Sequence, residues 1–108
     1  MAPERHPQSI DSLLEALADE RRRAVVRYLS EASNDAASVS HLADHLLEHC
    51  EAANDPENVA VHLHHVSLPK LEDAGLVEFD ARRHRVEYLP NPRAEELLGT
   101  IEERREAP

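Results

Sequence analysis

Apolar residues recur at helical spacing through the first half of the chain and predict three helices. The first follows Ser9, a suitable N-cap, and the second begins near Asp19, whose carboxylate can accept from free N–H groups of the first turn. A polar loop is predicted over 30–38, and a third helix over 41–50 with Ser40 as its cap. The apolar face of the first helix consists of Ile10, Leu13, Leu14 and Leu17. The inward positions of the second and third are Val25, Tyr28 and Leu29, then Leu42, Ala43, Leu46, Leu47 and Cys50.

A fourth helix is predicted after a polar break at 51–55. Pro56 suits the first helical position, where its missing N–H costs nothing. The core side of this helix is formed by Val59, Leu63 and Val66. Pro69 interrupts the pattern, so a kink or a restart is expected near Ser67. The apolar face continues to Gly75, which suits the left-handed position after a helix end.

Two alternating segments, 76–80 and 85–89, predict strands joined by a basic turn. Their shared inner face would consist of Val77, Phe79, Val86 and Tyr88. A last helix is predicted over 93–105, with an apolar stripe of Leu97, Leu98 and Ile101. Two helices joined by a short break and followed by a hairpin predict a mainly α fold with a β-hairpin, of the winged helix-turn-helix type.

This pattern divides the chain into three parts. Residues 1–8 form a flexible N-terminal tail that carries proline and polar residues. Residues 9–90 form the winged helix-turn-helix domain. Residues 91–108 form a C-terminal helix, which is a candidate dimerisation element.

The charge balance changes the expected environment of the protein. The chain of 108 residues has 22 acidic and 12 basic side chains, a net charge of -10, and Lys70 as its single lysine. Such a charge repels nucleic acid in dilute buffer, which favours a protein that does not bind DNA. Depletion of lysine instead favours a halophilic archaeal origin, where molar salt shortens the Debye length to about 3 Å. We prefer the second interpretation.

Candidate contacts to DNA lie on the fourth helix and the hairpin tip. Helical periodicity places Asn58, Val61, His64 and His65 outward or at the edge. Asparagine can pair with adenine, and histidine can donate to phosphate or guanine. Three arginines, Arg82, Arg83 and Arg85, can each neutralise a phosphate. The alternatives are a solvent-facing helix and solubilising charge. The cluster 21–23 is expected to pair with nearby acids, or else to contact the DNA backbone.

Other chemistry has little support in the sequence. His41, His45 and His49 recur every four residues and could bind a metal ion, but no carboxylate or thiolate completes a recognisable site, so no metal or cofactor is assigned. Glycine occurs only at 75 and 99, which excludes a glycine-rich phosphate loop, and we expect no enzyme activity. The sequence has no apolar run long enough to span a membrane and no signal peptide at its N-terminus, so a cytoplasmic location is expected.

Two segments resemble the haloarchaeal ArsR-like winged-helix proteins, a group mostly without assigned function. They are LEALADERRRAVVRYL at 14–29 and LHHVSLPKLEDAGLVEFD at 63–80, and the resemblance covers about 10–90. It implies a winged-helix fold, a role in transcription and dimerisation through the terminal helices. The expected dimer interface consists of Leu13, Leu17, Leu97, Leu98 and Ile101. The cysteine-rich metal motif of ArsR-type sensors has no counterpart here, since Cys50 is the single cysteine.

The leading hypothesis is therefore a homodimeric transcriptional regulator that binds double-stranded DNA in a high-salt cytoplasm. The first alternative is a winged-helix module that binds a protein partner and no DNA. The second is a metal-responsive repressor.

Overall fold

The computed structural model of the chain describes residues 9–32 and 35–106, so the predicted tail over 1–8 lies outside the described residues. In chain order the helices are α1 (Ile10–Ala16), α2 (Glu20–Glu31), α3 (Val39–His49), α4 (Pro56–His62), a π-helical turn (Leu63–Ser67), α5 (Leu68–Asp73) and α6 (Pro92–Glu106). The strands are β1 (Ala36–Ser38), β2 (Val77–Asp80) and β3 (Arg85–Tyr88). None of the described helices has the length and apolar character needed to cross a membrane.

The first helices begin where side chains can accept from their free N–H groups. Ser9 Oγ accepts from the N–H of Ser12 at 3.1 Å, and Asp19 accepts from two N–H groups at the start of α2, as predicted. The predicted start of α3 was wrong by two residues. Ser38, with extended backbone, is the cap, and Ser40 is an exposed residue inside the helix.

The segment predicted as a polar loop over 30–38 is a loop only in part. Helix α2 continues to Glu31, and Ala36–Ser38 form strand β1, which pairs antiparallel with β3. The N–H of Tyr88 donates to the carbonyl of Asp35 at 2.7 Å and extends this ladder. Two alanines and a serine have little intrinsic preference for a strand, so the free edge of β3 decides the conformation of this segment.

The sheet has the strand order β1-β3-β2 and is antiparallel throughout. In the hairpin, Val77 lies opposite Tyr88 and Phe79 lies opposite Val86. Three of these side chains are buried and Phe79 is half-buried, so the predicted inner face is confirmed. The coarser part of the fold prediction is therefore confirmed, because the protein is mainly helical with a small antiparallel sheet that contains the hairpin.

The fourth helix is continuous but changes its winding before Pro69. The N–H of Leu68 donates to the carbonyl of Leu63, five residues earlier. Proline lacks an N–H and its ring clashes with a carbonyl four residues earlier, and a wider π turn accommodates both. The expected interruption near Ser67 is thus present as a π-helical turn rather than a break.

Gly75 ends the helical region in the predicted manner. Its φ is 78°, and its N–H donates to the carbonyl of Glu72 at 2.9 Å. The N–H of Leu76 donates to the carbonyl of Leu71 at 3.0 Å, which completes a Schellman motif. The chain turns from α5 directly into β2 through these two bonds.

Burial in the core contradicts part of the predicted dimer interface. Leu13 and Leu17 are 0% exposed and Leu98 is 3% exposed, so their side chains are occupied within one protomer. These three assignments were wrong, because helical periodicity marks an apolar face without saying which surface covers it. Leu97 and Ile101 are half-buried and pack against the core, and their role in a dimer stays a prediction. In α1, Ile10 and Leu14 are the exposed apolar residues.

Candidate nucleic-acid interface

Helix α4 and the π-helical turn after it present three of the residues predicted to contact DNA. Asn58, Val61 and His65 are exposed, and Val61 retains 55% of its accessible surface. Asp55 starts the helix by accepting from the N–H of Glu57 at 3.1 Å. The opposite side of the helix is anchored by buried Val59. The exposed residues recur three and four positions apart and therefore share one face.

His64 lies at the edge of this face rather than fully outward. Its side chain is half-buried, and its ring lies edge-on to Phe79 with centroids 5.2 Å apart. The rings of His65 and His84 lie 4.7 and 5.9 Å away. Its Nδ1 atom is buried and has no hydrogen-bond partner among the described residues. His64 thus connects the helical region to the hairpin, a role that periodicity alone does not reveal.

The hairpin tip holds the three predicted arginines at the surface. One carboxylate oxygen of Asp80 accepts from the N–H groups of Arg82 and Arg83, at 3.1 and 3.2 Å, and organises the turn. His84 completes the turn with a φ of 55°. Arg82, Arg83 and Arg85 are exposed. Arg83 Nε lies 3.8 Å from Asp80, while in the described part of the chain no ion pair involves the other two arginines.

The arginine cluster at 21–23 has a structural role that was not predicted from the sequence. Arg22 donates from Nε to the carbonyl of Ala16 at 2.8 Å and from a terminal nitrogen to the carbonyl of Glu15 at 3.1 Å. Arg23 donates to the carbonyl of Leu17 at 2.9 Å. The last carbonyls of a helix lack partners within the helix and attract positive charge. The sequence does contain a signal for this role. A run of arginines directly follows a short helix whose last turn has no basic residue.

Arg21, the first of the cluster, forms an ion pair with the cap of α2. Its guanidinium lies 3.4 Å from the carboxylate of Asp19. Burial acts to raise the pKa of Asp19, but the hydrogen bonds and the charge of Arg21 prevail and lower it. The predicted pairing of this cluster with a nearby acid is thus confirmed for Arg21.

Two histidines of the α3 stripe, His45 and His49, stack on each other, and His45 also contacts Tyr28 of α2 at a tilted angle. The ring of His45 lies 4.6 Å from that of Tyr28 and 4.5 Å from that of His49. Burial and then the neighbouring His49 lower the pKa of His45. In the described residues, no group of three or more histidine, cysteine or acidic side chains has the geometry to hold a metal ion.

His62, the last residue of α4, lies near the start of α2. Its Nδ1 is 3.1 Å from the hydroxyl oxygen of Ser67, which is fully buried in the π turn. Burial and then the positive charge of Arg21 lower the pKa of His62. This side chain supports the fourth helix and does not belong to its exposed face.

Comparison with known proteins gives a family and no function. No curated protein and no solved structure is a significant match. A family model described as a domain of unknown function (DUF7344) matches residues 14–87, which extend from α1 into β3 and include the exposed face of α4 and the hairpin tip. The chain belongs to this DUF7344 family.

Proposed function

We propose that the protein is a winged helix-turn-helix regulator of transcription that binds double-stranded DNA. The observation that carries the proposal is the connection between an exposed helix and an arginine hairpin tip, made through the rings of His64 and His84. Helices α3 and α4 form the helix-turn-helix pair, with α4 as the recognition helix in the major groove. The tip lies on the flanking phosphates as the wing. The resemblance to haloarchaeal ArsR-like proteins agrees with this assignment.

The distribution of charge assigns different contacts to the helix and to the hairpin tip of the proposed interface. The segment 56–66 contains no lysine or arginine, so the helix supplies base contacts rather than phosphate contacts. Phosphate neutralisation falls on Arg82, Arg83 and Arg85. The net charge of -10 opposes binding at low ionic strength, and molar salt screens this repulsion.

Binding of fluorescent random-sequence duplex DNA, measured by anisotropy across a KCl series that extends to molar salt, tests the proposal. Three phosphate contacts predict a log–log salt slope of roughly -3 per protomer. Arg82→Ala and Arg83→Ala should weaken binding to all sequences alike and reduce the slope by roughly one each. Arg27→Ala is the matched control, because Arg27 pairs with Glu31 and Glu102 away from the tip. Absence of binding at every salt concentration would refute the proposal.

A protein partner is the competing proposal. It is favoured by the outward position of Glu57 beside exposed Val61, which together suit a polar protein surface as well as a groove. If duplex DNA does not bind, this alternative takes precedence. The metal-responsive repressor is tested separately by titrating zinc and nickel, with loss of sub-micromolar affinity in His45→Ala as the supporting result.

We also propose that the protein acts as a homodimer through α1 and α6. The residues available for this contact are exposed Ile10 and Leu14 and half-buried Leu97 and Ile101. Light scattering should give the mass of a dimer, and Leu14→Asp and Leu97→Asp should give a monomer. Leu14→Asp separates loss of the dimer from unfolding, because Leu14 is 43% exposed and its substitution should leave the protomer folded. A monomeric wild type would contradict the proposal.

A further inference from the structure

The exposed face of α4 has an apolar centre. Among the described residues, the large hydrophobic side chains that are exposed are Val61 on α4 and the pair Ile10 and Leu14 on α1. Val61 at 55% is the most exposed of them. A lone valine on a solvent-facing helix adds nothing to the core and needs no explanation by itself. Its position one turn from the exposed amide of Asn58 gives it a specific use.

Asn58 and Val61 lie close enough to contact neighbouring base pairs. They are three residues apart, which is about 4.5 Å along a helix axis. Successive base pairs of DNA rise by about 3.4 Å. Two side chains on one helix face at this spacing therefore reach the same base pair or adjacent ones.

The chemistry of the two side chains selects one kind of base pair. An asparagine amide matches the N6 donor and the N7 acceptor of adenine, and an apolar side chain matches the 5-methyl group of thymine. Guanine is usually read by arginine or lysine, which are absent from 56–66. Glu57, one turn before Val61, is an acceptor that is repelled by phosphates, so this face suits base edges rather than the backbone.

We propose that α4 selects A·T-containing steps, with Asn58 on an adenine and Val61 on a thymine methyl group. This inference rests on the proposed DNA binding. The neighbouring arginines supply the charge complementarity, because the ring of His64 lies 5.9 Å from that of His84 at the tip. Val61 is then a specificity determinant, and the wing provides the sequence-independent part of the affinity.

Four short duplexes test the proposed contacts of Asn58 and Val61 independently. The first alternates dA and dT, and the second replaces every dT with dU, which removes the methyl groups alone. The third alternates dG and dC, and the fourth carries 5-methyl-dC, which restores a methyl group at the equivalent position. Affinity is measured for the full chain in molar KCl.

The wild type should bind the dT duplex about fourfold more tightly than the dU duplex for each methyl group contacted. Val61→Ala should abolish this difference. Asn58→Ala should retain it but lose preference for dA·dT over methylated dG·dC. Arg27→Ala, which alters a side chain paired with Glu31 and Glu102 away from α4 and the tip, is the control and should leave the dT-to-dU ratio unchanged.

The outcomes distinguish this inference from the function on which it rests. Failure to bind any of the four duplexes overturns the proposed DNA binding itself. Equal affinity for the dT and dU duplexes overturns the inference alone. A dT-to-dU difference that persists in Val61→Ala also overturns it, because the methyl groups would then act through groove shape.

Discussion

The ring of His64 meets the ring of Phe79 edge-on, with centroids 5.2 Å apart and planes at 84°. One ring belongs to the π-helical turn and the other to β2. The contact therefore fixes the position of the helical region relative to the hairpin, and with it the distance between the two parts of the proposed DNA interface.

Removing both rings should reveal this contact as a coupling energy. Aromatic pairs contribute about 1 kcal/mol beyond the area they bury, so a cycle of His64→Ala, Phe79→Leu and the double variant should give a coupling of about that size. Urea unfolding at fixed KCl measures the free energies. Strict additivity of the two single substitutions would show that the rings do not stabilise each other.

The end of α1 should depend on Arg22. The side chain is 8% exposed and donates to two helix-end carbonyls. Arg22→Ala removes the donor to the carbonyl of Ala16 and one of the donors to that of Glu15, which keeps the N–H of Ala18, and should lower the free energy of unfolding by about 2 kcal/mol. Arg22→Lys should restore only part of this, because one ammonium group does not reproduce the guanidinium fork.

Arg21→Ala is the comparison for Arg22, since it removes a neighbouring arginine that forms a partly exposed ion pair. Its cost should stay below about 1 kcal/mol. Equal losses in denaturant unfolding of Arg21→Ala and Arg22→Ala would contradict the assigned role.

Asp80 combines two effects that a pair of substitutions can separate. Its Oδ1 accepts from two N–H groups of the tip, while its charge lies beside Arg83. Asp80→Asn keeps an oxygen acceptor and removes the charge, so DNA affinity should rise about two- to threefold, the usual size of a surface ion pair. Asp80→Ala also removes the acceptor and should bind less tightly than Asp80→Asn. Equal affinity of the two variants in the anisotropy assay would show that the hydrogen bonds accepted by Asp80 in the turn do not affect DNA binding.

Stability should fall between neutral and mildly acidic pH. Burial lowers the pKa of His45 and His62 in the folded protein, so the unfolded chain takes up protons first as the pH falls below about 6.5. The free energy of unfolding therefore decreases from this pH down to the folded-state pKa values. The double variant His45→Gln, His62→Gln should show a shallower decrease in thermal unfolding midpoint across this range. An unchanged slope would assign the acid sensitivity to other groups.

Local chemistry allowed most helix boundaries to be predicted. Ser9, Asp19, Pro56 and Gly75 have the expected roles because a cap depends on groups within one turn of the chain. The same reasoning failed at Ser38 and Ser40, since both serines can cap a helix. Pairing of Ser38 with Arg85 on β3 decides between them.

The candidate site was predicted only in part, because exposure depends on which elements pack together. Asn58, Val61 and His65 are exposed as periodicity predicted. His64 is half-buried because Phe79 lies against it, and that neighbour belongs to a strand after the helix end.

The sequence by itself determined the starts of α1, α2 and α4, the glycine stop, the hairpin and the arginines at its tip. Each of these follows from residues a few positions apart, whose interactions form in any compact arrangement of the chain. Only the tertiary structure decided that Ala36–Ser38 is a strand, that Arg22 holds the end of α1 and that Leu13 belongs to the core. These features depend on partners brought together by packing, and a pattern along one segment contains no information about the surface that will cover it.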